Sequence, residues 1–564
     1  MSEENVVLEE NSEKKENRFN SFMKKNGFYI GVFLIFALVI IIMTSDKENP
    51  SKGVIDYSDA VFYQSGNQLY LQRDNKEAVL LSASLLQDYV LTQINYVIKP
   101  CKISKDGNYV YFFENVILDG NVYMGDLCRF TNNKKETIGV NVPLSYALSA
   151  DYDKVVYATF TGTDDEGTYL YDLYLYENGK SSLIDSEIDK ECITLSGDGK
   201  TIIYHKGFYA DTQTTAMYVY KNGASKMVDN QVVYYYKQNA NGTFKANWPL
   251  TNYDGSKIIY AGYMGPESLP SLNLYTPSDQ KSTMLVKSFV QVFVDDDLNN
   301  AAINGETSPE TMSGSYIRYD LNTLEKEIFA TNIWGLCDMV VAKYVTDPFI
   351  NLGFYLKSYD EVTNTADLYF KGTDQEETKV LSSINVDNIQ FSLDYKSMYA
   401  LAYYYAAEGG ELHEISNITT SSYDLEKIDE MVMEYHFDDA NTVLGFRKDV
   451  KLYLIDKSGT KKMIDNHDVS SFEITPDGNL LYFYKDGGLG TGELYMMEAD
   501  TNKDYELVDK AVTFIYEFGD NYVAFVNGFD FGDAAGTLIV TDGKGNFQII
   551  AEKVSTLLMK NYIK

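Results

Sequence analysis

Cysteine is scarce, with four in 564 residues, too few for a disulfide-built scaffold. Positive charge is outnumbered: 48 Lys+Arg face 82 Asp+Glu, a net charge of −34. A phosphate-neutralising nucleic-acid binder needs the opposite balance. No C-x-x-C, no G-x-S-x-G elbow and no zinc spacing of histidines occurs. After residue 50 no extended helical periodicity appears, and no Pro/Gly/Ser-rich linker divides the chain. What is abundant is β-forming. Hydrophobic residues make up 45%, which excludes wholesale disorder, and 48 tyrosines suit half-buried sheet surfaces.

One stretch, Gly27–Thr44 (GFYIGVFLIFALVIIIMT), runs eighteen residues without a charge. That is close to the ~20 needed to span a bilayer as a helix. Lys14, Lys15, Arg18, Lys24 and Lys25 precede it, so the positive-inside tendency keeps Met1–Asn26 in the cytoplasm and the bulk outside. A cleaved signal peptide is the alternative; the apolar run is long for one, and no small-x-small site follows. The tail is polar and expected to be disordered. It holds six acidic and five basic residues, so nearly all the negative charge lies beyond the anchor.

From there a pattern recurs: an apolar strand, a turn that is commonly Asp-Gly, a strand ending in Tyr or Phe, a variable loop, a Leu-Tyr-x-Tyr strand and a last short strand. Copies begin at Ser104 (SKDGNYVYFF), Ser149, Ser196 (SGDGKTIIYHK), Asn252, Ser392 and Thr475 (TPDGNLLYFY). Aligned turns fall at Asp59, Asp106, Asp151, Asp198, Asp254, Asp297, Asp347, Asp394, Asp439, Asp477 and Gly519. The spacing of about 46 residues and the period-two strands predict four-stranded β-propeller blades in an all-β fold, with Asp-Gly as a two-residue hairpin turn.

SGDGKTIIYHK followed by AMYVYKNG, and TPDGNLLYFY followed by ELYMMEAD, resemble the repeats of TolB-type β-propellers and the propeller of dipeptidyl-peptidase-type enzymes, over roughly residues 54–552. The resemblance implies the fold more than any function. The hydrolase domain that follows some such propellers would need a couple of hundred residues after the last unit, and only about a dozen remain. Eleven units exceed the typical 4–8 blades of one ring. The expected layout is therefore a tail (1–26), a signal-anchor helix (27–44), a linker (45–53) and two tandem propellers (54–287 and 288–564), with the seam at Lys287–Ser288. Lys553–Lys564 is expected to supply a closing strand.

Motifs with apparent chemistry fail on their surroundings. Gly199-Lys200-Thr201 lacks the first glycine of a phosphate loop and falls on the repeat's own hairpin. Gly487–Gly492 is glycine-rich, but no helix follows. His413-Glu414 has Asn417 where a second histidine belongs. Asp295-Asp296-Asp297 with Asn299 offers oxygens to calcium but lacks the loop's glycine and closing glutamate, so no metal or other cofactor is expected. Cys101 and Cys128 share one unit; a disulfide and two buried free thiols are the alternatives.

Connections b–c and d–a of a blade share one face. The b–c loops are long and differ in each unit: 114–125, 161–168, 206–215, 262–271, 305–314, 357–365 and 527–536. Asp164, Asp165, Glu166, Glu306, Glu310, Asp360, Glu361, Asp530 and Asp533 make them acidic, with Phe208, Tyr209, Tyr263, Tyr359, Tyr403, Tyr404 and Tyr405 alongside. Variable loops on a rigid scaffold are where recognition lives; acidic loops that merely keep the protein soluble are the plainer reading. The expectation is a non-catalytic, membrane-anchored, extracytoplasmic binding or scaffold module of the cell envelope. Its partner would be a protein, a cation or a glycan. The alternative is an envelope enzyme, glycosidase- or peptidase-like, using carboxylates in a propeller cleft. A sensor signalling through the tail is a third reading, although Met1–Asn26 has no room for a domain.

Overall fold

The Ser-x-Asp-Gly signature folds as a closed hydrogen-bond circuit. Ser196 Oγ accepts the Thr201 N–H (3.0 Å) and donates to Asp198 Oδ1 (2.7 Å), which accepts the Lys200 N–H (3.0 Å). The bond from a polar side chain to the N–H five residues on recurs at Ser104, Ser149, Asn252, Asp295, Ser392, Asp438 and Thr475. This circuit needs four residues between Ser196 and Thr201, so the expected two-residue turn is corrected to a longer one. Its third step is left-handed: Gly199 (φ 68°) and Gly255 (φ 61°) occupy it at no steric cost, whereas Tyr152, Leu298 and Tyr395 occupy it despite theirs.

The computed structural model describes residues 60–557 apart from 74–75, 88–100, 105–106, 164–168, 189–192, 210, 234–248, 337–352, 489–490, 519–521 and 543–545. The apolar segment 27–44 lies outside the described residues, as do Cys192 and Cys337. Among the described residues no helix is long and apolar enough to cross a membrane.

The described chain is all-β apart from a 3-10 turn at Val386–Asn388. Its strands group in antiparallel fours, lettered a to d in order across each sheet, and the pair Val232↔Gly262 joins units 4 and 5 into one eight-stranded sheet. Units 2 to 9 take residues 102–143, 146–188, 194–233, 250–286, 289–333, 335–385, 390–432 and 434–465. Units 10 and 11 (471–518 and 506–554) share the strand Glu506–Phe518. Unit 1 joins Val61–Ser65, Gln68–Gln72 and Val79–Ser82 to Thr556–Leu557, through Tyr63↔Leu557 and Gln64↔Thr556. The expected C-terminal closing strand is thus present.

Alternation places apolar residues on both faces of each unit, and each face meets a neighbour. Shared cores join units 1–3, 3–4, 4–5, 5–6, 6–8, 8–9 and 9–10, and then unit 11 to unit 1. Fully buried rings such as Phe62, Phe112 and Phe446 anchor them, each contributing about 1.5–3 kcal/mol by burial. Strand-b aromatics stack on strand-c tyrosines within a unit: Tyr63 on Tyr70 (5.3 Å), Tyr204 on Tyr218 (5.5 Å), Phe446 on Tyr453 (5.3 Å) and Phe483 on Tyr495 (5.1 Å). This is what the tyrosine excess is for. Four-stranded antiparallel sheets stacked face to face in series are the architecture of β-propeller blades.

A continuous core crosses the seam expected at 287–288. Val286 and Phe289 belong to the same cluster. Lys257 of unit 5 donates from Nζ to Leu298 O of unit 6 (2.7 Å) and to Asn322 Oδ1 (2.6 Å). Residues Ile55–Gly545 and Ile549–Lys564 form one compact unit. The other, Met1–Val54 with Asn546–Gln548, lies almost entirely outside the described residues.

Candidate functional site

The two ends of the blades are built differently. At the a–b turn end, three turns bond the next: the Ala150 N–H to Gly197 O, the Asp198 N–H to Tyr253 O and the Asp439 N–H to Pro476 O, all 2.9 Å. The Asp295 carboxylate is used up by its own turn, accepting the Asn299 N–H (2.6 Å) and the Asn300 N–H (2.9 Å). It caps backbone at this turn. Among the described residues no group of three His, Cys, Asp or Glu is placed to hold a metal.

At the b–c end, four of the expected loops are corrected to β-hairpin arms. Strands reach Asp119 and resume at Val122, reach Tyr209 and resume at Thr214, reach Asp360 and resume at Thr365, and reach Asp530 and resume at Ala535. A left-handed residue at the exit of strand b (Asn115, Gly207, Ser358, Tyr403, Gly528) bulges the strand and re-aims each arm. Among the described residues, 263–270 and 306–313 are loops, and 164–168 of the expected loop 161–168 lie outside the described residues.

The expected site residues divide accordingly. Asp164, Asp165 and Glu166 lie outside the described residues. Tyr209 is exposed at its arm's tip, and Tyr263 is half-buried with its N–H on Gln231 O (2.9 Å). Glu306 is paired with Lys326 (3.2 Å), while Glu310 is exposed. Tyr404 packs on the core shared by units 8 and 9, leaving Tyr403 and Tyr405 outward. Asp530 Oδ1 accepts the Gly532 N–H (2.7 Å), and Asp533 is exposed on the same tip. No common pocket collects all of them.

One group does converge. Tyr359, next to Asp360 and Glu361, stacks on Trp334 with ring centroids 3.8 Å apart and planes 12° apart. Its hydroxyl donates to Asn364 Oδ1 (2.9 Å), and Asn364 Nδ2 donates to Asp387 Oδ2 (2.5 Å). Burial, then the charges of Glu361, Asp387 and Asp360, holds the Tyr359 phenol above its ordinary range. Trp334 and Asp387 were missed because both belong to d–a connections, and only b–c loops were searched. The rule that both connections share a face was the available signal.

Other charges are closed. Strand-d aspartates meet the next unit's strand b: Asp185 takes Tyr204 OH (2.6 Å) and Lys206 Nζ (3.1 Å), Asp229 takes Tyr260 OH (3.2 Å), Asp429 takes Lys448 Nζ (2.8 Å) and Asp465 takes Lys485 Nζ (2.8 Å). Burial alone would raise the Asp185, Asp429 and Asp465 carboxyls; these donors outweigh it and hold all three below the ordinary range. His413 lies 3.2 Å from Glu411 and on no metal-binding helix. Cys101 and Cys128 are buried thiols not joined by a disulfide, and burial pushes both up to about 12. The disulfide alternative is corrected accordingly.

No family model matches the chain, and no curated protein matches it. Among solved structures it is similar to a eukaryotic initiation factor (8% identity, 89% of this chain and 98% of that one, TM-score 0.40). It is similar also to TolB from Acinetobacter baumannii (14%, 57% and 79%, TM-score 0.23) and to dipeptidyl peptidase 4 from Porphyromonas gingivalis (10%, 85% and 64%, TM-score 0.33). The last two are of the classes that the repeats resemble. At these values the likeness carries no activity to this chain.

Proposed function

We propose that this protein is a non-catalytic binding module displayed outside the cell on the 27–44 anchor, with its N-terminus in the cytoplasm. We further propose that its units close as a single ring of eleven blades rather than as two rings. The ring reading is supported by the shared cores that join units 1 to 10 and unit 11 to unit 1, by the strand that units 10 and 11 share, and by the pairing of Thr556–Leu557 with Val61–Ser65.

The binding reading rests on one observation, the asymmetry between blade ends. At the turn end, backbone groups bond one turn to the next at Ala150–Gly197, Asp198–Tyr253 and Asp439–Pro476. The hairpin arms present aromatic rings to solvent at Tyr209, Tyr405 and Phe531, and the turn end presents Tyr253. Arms and loops 114–125, 262–271, 305–314, 403–409 and 527–536 contain no Lys or Arg. Carboxylates and aromatics on rigid arms suit recognition of a partner with complementary charge.

In-cell photo-crosslinking tests this. A photoreactive residue at Tyr209, Tyr405 or Phe531 should yield discrete adducts, whereas one at Lys200, Lys396 or Lys457 on the turn end should yield none. Equal labelling from both ends, or none from the arms, would refute a recognition face.

A further inference from the structure

We infer that Lys102, at the contact of units 2 and 3, is a nucleophilic amine that captures aromatic aldehydes as a Schiff base. This goes beyond the binding-module reading and depends neither on the arms nor on the anchor.

The first ground is a missing acceptor. An ammonium group carries three N–H donors, which need oxygen partners once it leaves water. Lys154, Lys206, Lys357, Lys448 and Lys485 are half-buried, and each has a carboxylate within 3.1 Å. Lys221, Lys257 and Lys371 are half-buried too, and each donates to a backbone carbonyl within 3.0 Å. Lys102 is the remaining half-buried lysine of the described residues, and among these it has neither a carboxylate nor a hydrogen-bond acceptor.

The second ground is what surrounds the amine instead. Lys102 Nζ lies over the Tyr146 ring, 5.3 Å from its centroid. Tyr111 is directly opposite Lys102 on the neighbouring strand, so both side chains lie on one face of the sheet. The Tyr111 and Phe113 rings meet Tyr146 at 6.0 and 5.8 Å between centroids, and the Tyr111 hydroxyl donates to Tyr152 O. A ring face favours the ammonium form. Desolvation is the larger effect and holds the amine below its ordinary range. A lysine in apolar, ring-lined surroundings is the one most ready to react as a free amine.

Together these select the ligand. An anion would meet one amine against a chain of net charge −34. A neutral carbonyl compound meets no such opposition, and an aromatic one suits the ring-lined surroundings. The Lys102 Nζ lone pair adds to the carbonyl carbon as the C–O π pair moves to oxygen. One proton passes from nitrogen to that oxygen. The hydroxyl then leaves with the remaining N–H proton as water, and a C=N bond is formed. Nothing is oxidised or reduced, and water reverses the step, so the reaction is capture and not turnover.

The test uses the full-length protein in lipid nanodiscs, benzaldehyde as the probe and cyanoborohydride to fix the imine, with adducts mapped by mass spectrometry. Lys200 and Lys396, exposed at the turn end, are the internal references. At pH 7 Lys102 should be modified at least about fivefold faster than either, because more of it is in the neutral, nucleophilic form. At pH 11, where lysines are mostly neutral, the ratio should fall to about one or below. Excess benzoate should leave the Lys102 rate unchanged. Lys102→Met should abolish the fast phase of total labelling and keep the slow one; should that chain not fold, the wild-type map decides alone.

Four results would each overturn the inference: a smaller ratio at pH 7, a preference that persists at pH 11, protection by benzoate, which would mark an anion site, or a fast phase that survives in folded Lys102→Met. None of them bears on crosslinking from the arms, so the recognition face is judged separately.

Discussion

Asp198 and Asp360 are the same residue type doing the same local job. Each accepts a backbone N–H two residues on, Lys200 for one and Val362 for the other. Asp198 also receives the Ser196 hydroxyl and lies 3.2 Å from the Lys200 ammonium; Asp360 receives nothing more. The difference belongs to the two blade ends. At the turn end short connections press neighbouring units together, and polar groups find partners across the gap. At the hairpin end bulges carry the arms away from the sheet, and Asp360, at an arm's tip, keeps no cationic partner among the described residues. Internal closure makes a scaffold; open valences make a surface that another molecule can complete.

The widest test of this contrast is to cut the chain at the expected seam. Residues 54–287 and 288–564 expressed separately should each fail to fold, by far-UV circular dichroism and hydrogen exchange. Each half loses its side of the core joining Val286 to Phe289 and its side of the closure joining Val526 to Val61. Cooperative unfolding of either half would restore the two-ring layout.

Next comes charge removal at a closed pair and at an open tip. Asp465→Ala strips the partner from half-buried Lys485 and from the His467 N–H. It should cost about 2–3 kcal/mol in urea unfolding. Asp360→Ala should change stability by no more than about 0.5 kcal/mol. Similar costs would erase the distinction between closed and open carboxylates.

A smaller effect is expected at the turn end. Gly199→Ala forces a Cβ into the left-handed region, 2.5 Å from Lys154 Cδ, and should cost about 1–2 kcal/mol. Tyr152→Gly, at the matching position of unit 3, should stay within about 0.5 kcal/mol, relieved strain offsetting the ring contact with Tyr109.

A pH effect is expected as well. His436 sits 3.2 Å from Glu434 and 3.1 Å from Glu473 of the next unit. Desolvation lowers its pKa, but the two carboxylates outweigh it and hold it at about 9. A folded value above the unfolded ~6.5 stabilises fully below pH 6.5. Unfolding free energy should therefore fall between about pH 6.5 and 9, and His436→Gln should flatten that slope.

Much of this was legible in sequence because the repeat is chemical as well as periodic. Ser196, Asp198 and Gly199 each perform a step of the turn circuit, so their spacing marks every unit in which they survive. The interblade latch was legible too and was overlooked: an apolar residue, Asp and, three further on, Ile or Val recur at Asp185–Ile188, Asp229–Val232, Asp429–Val432 and Asp509–Val512. In all ten described c–d pairings this region carries a register shift that breaks the exposed outer edge. The candidate site was half legible. Asp360 and Glu361 stood out as acidic loop residues, but nothing local distinguished them from Glu306, which Lys326 neutralises, or from Tyr404, which the core absorbs.

The order of residues by itself determined the strands, their turns and their grouping in fours, because each depends on side chains within a few dozen positions that bond or pack within one sheet. Only the tertiary structure decided which charges remain unpaired and where the units meet. Those outcomes depend on contacts between units, as when Lys485 closes Asp465, Trp334 comes to lie on Tyr359, and the last strand returns to the first.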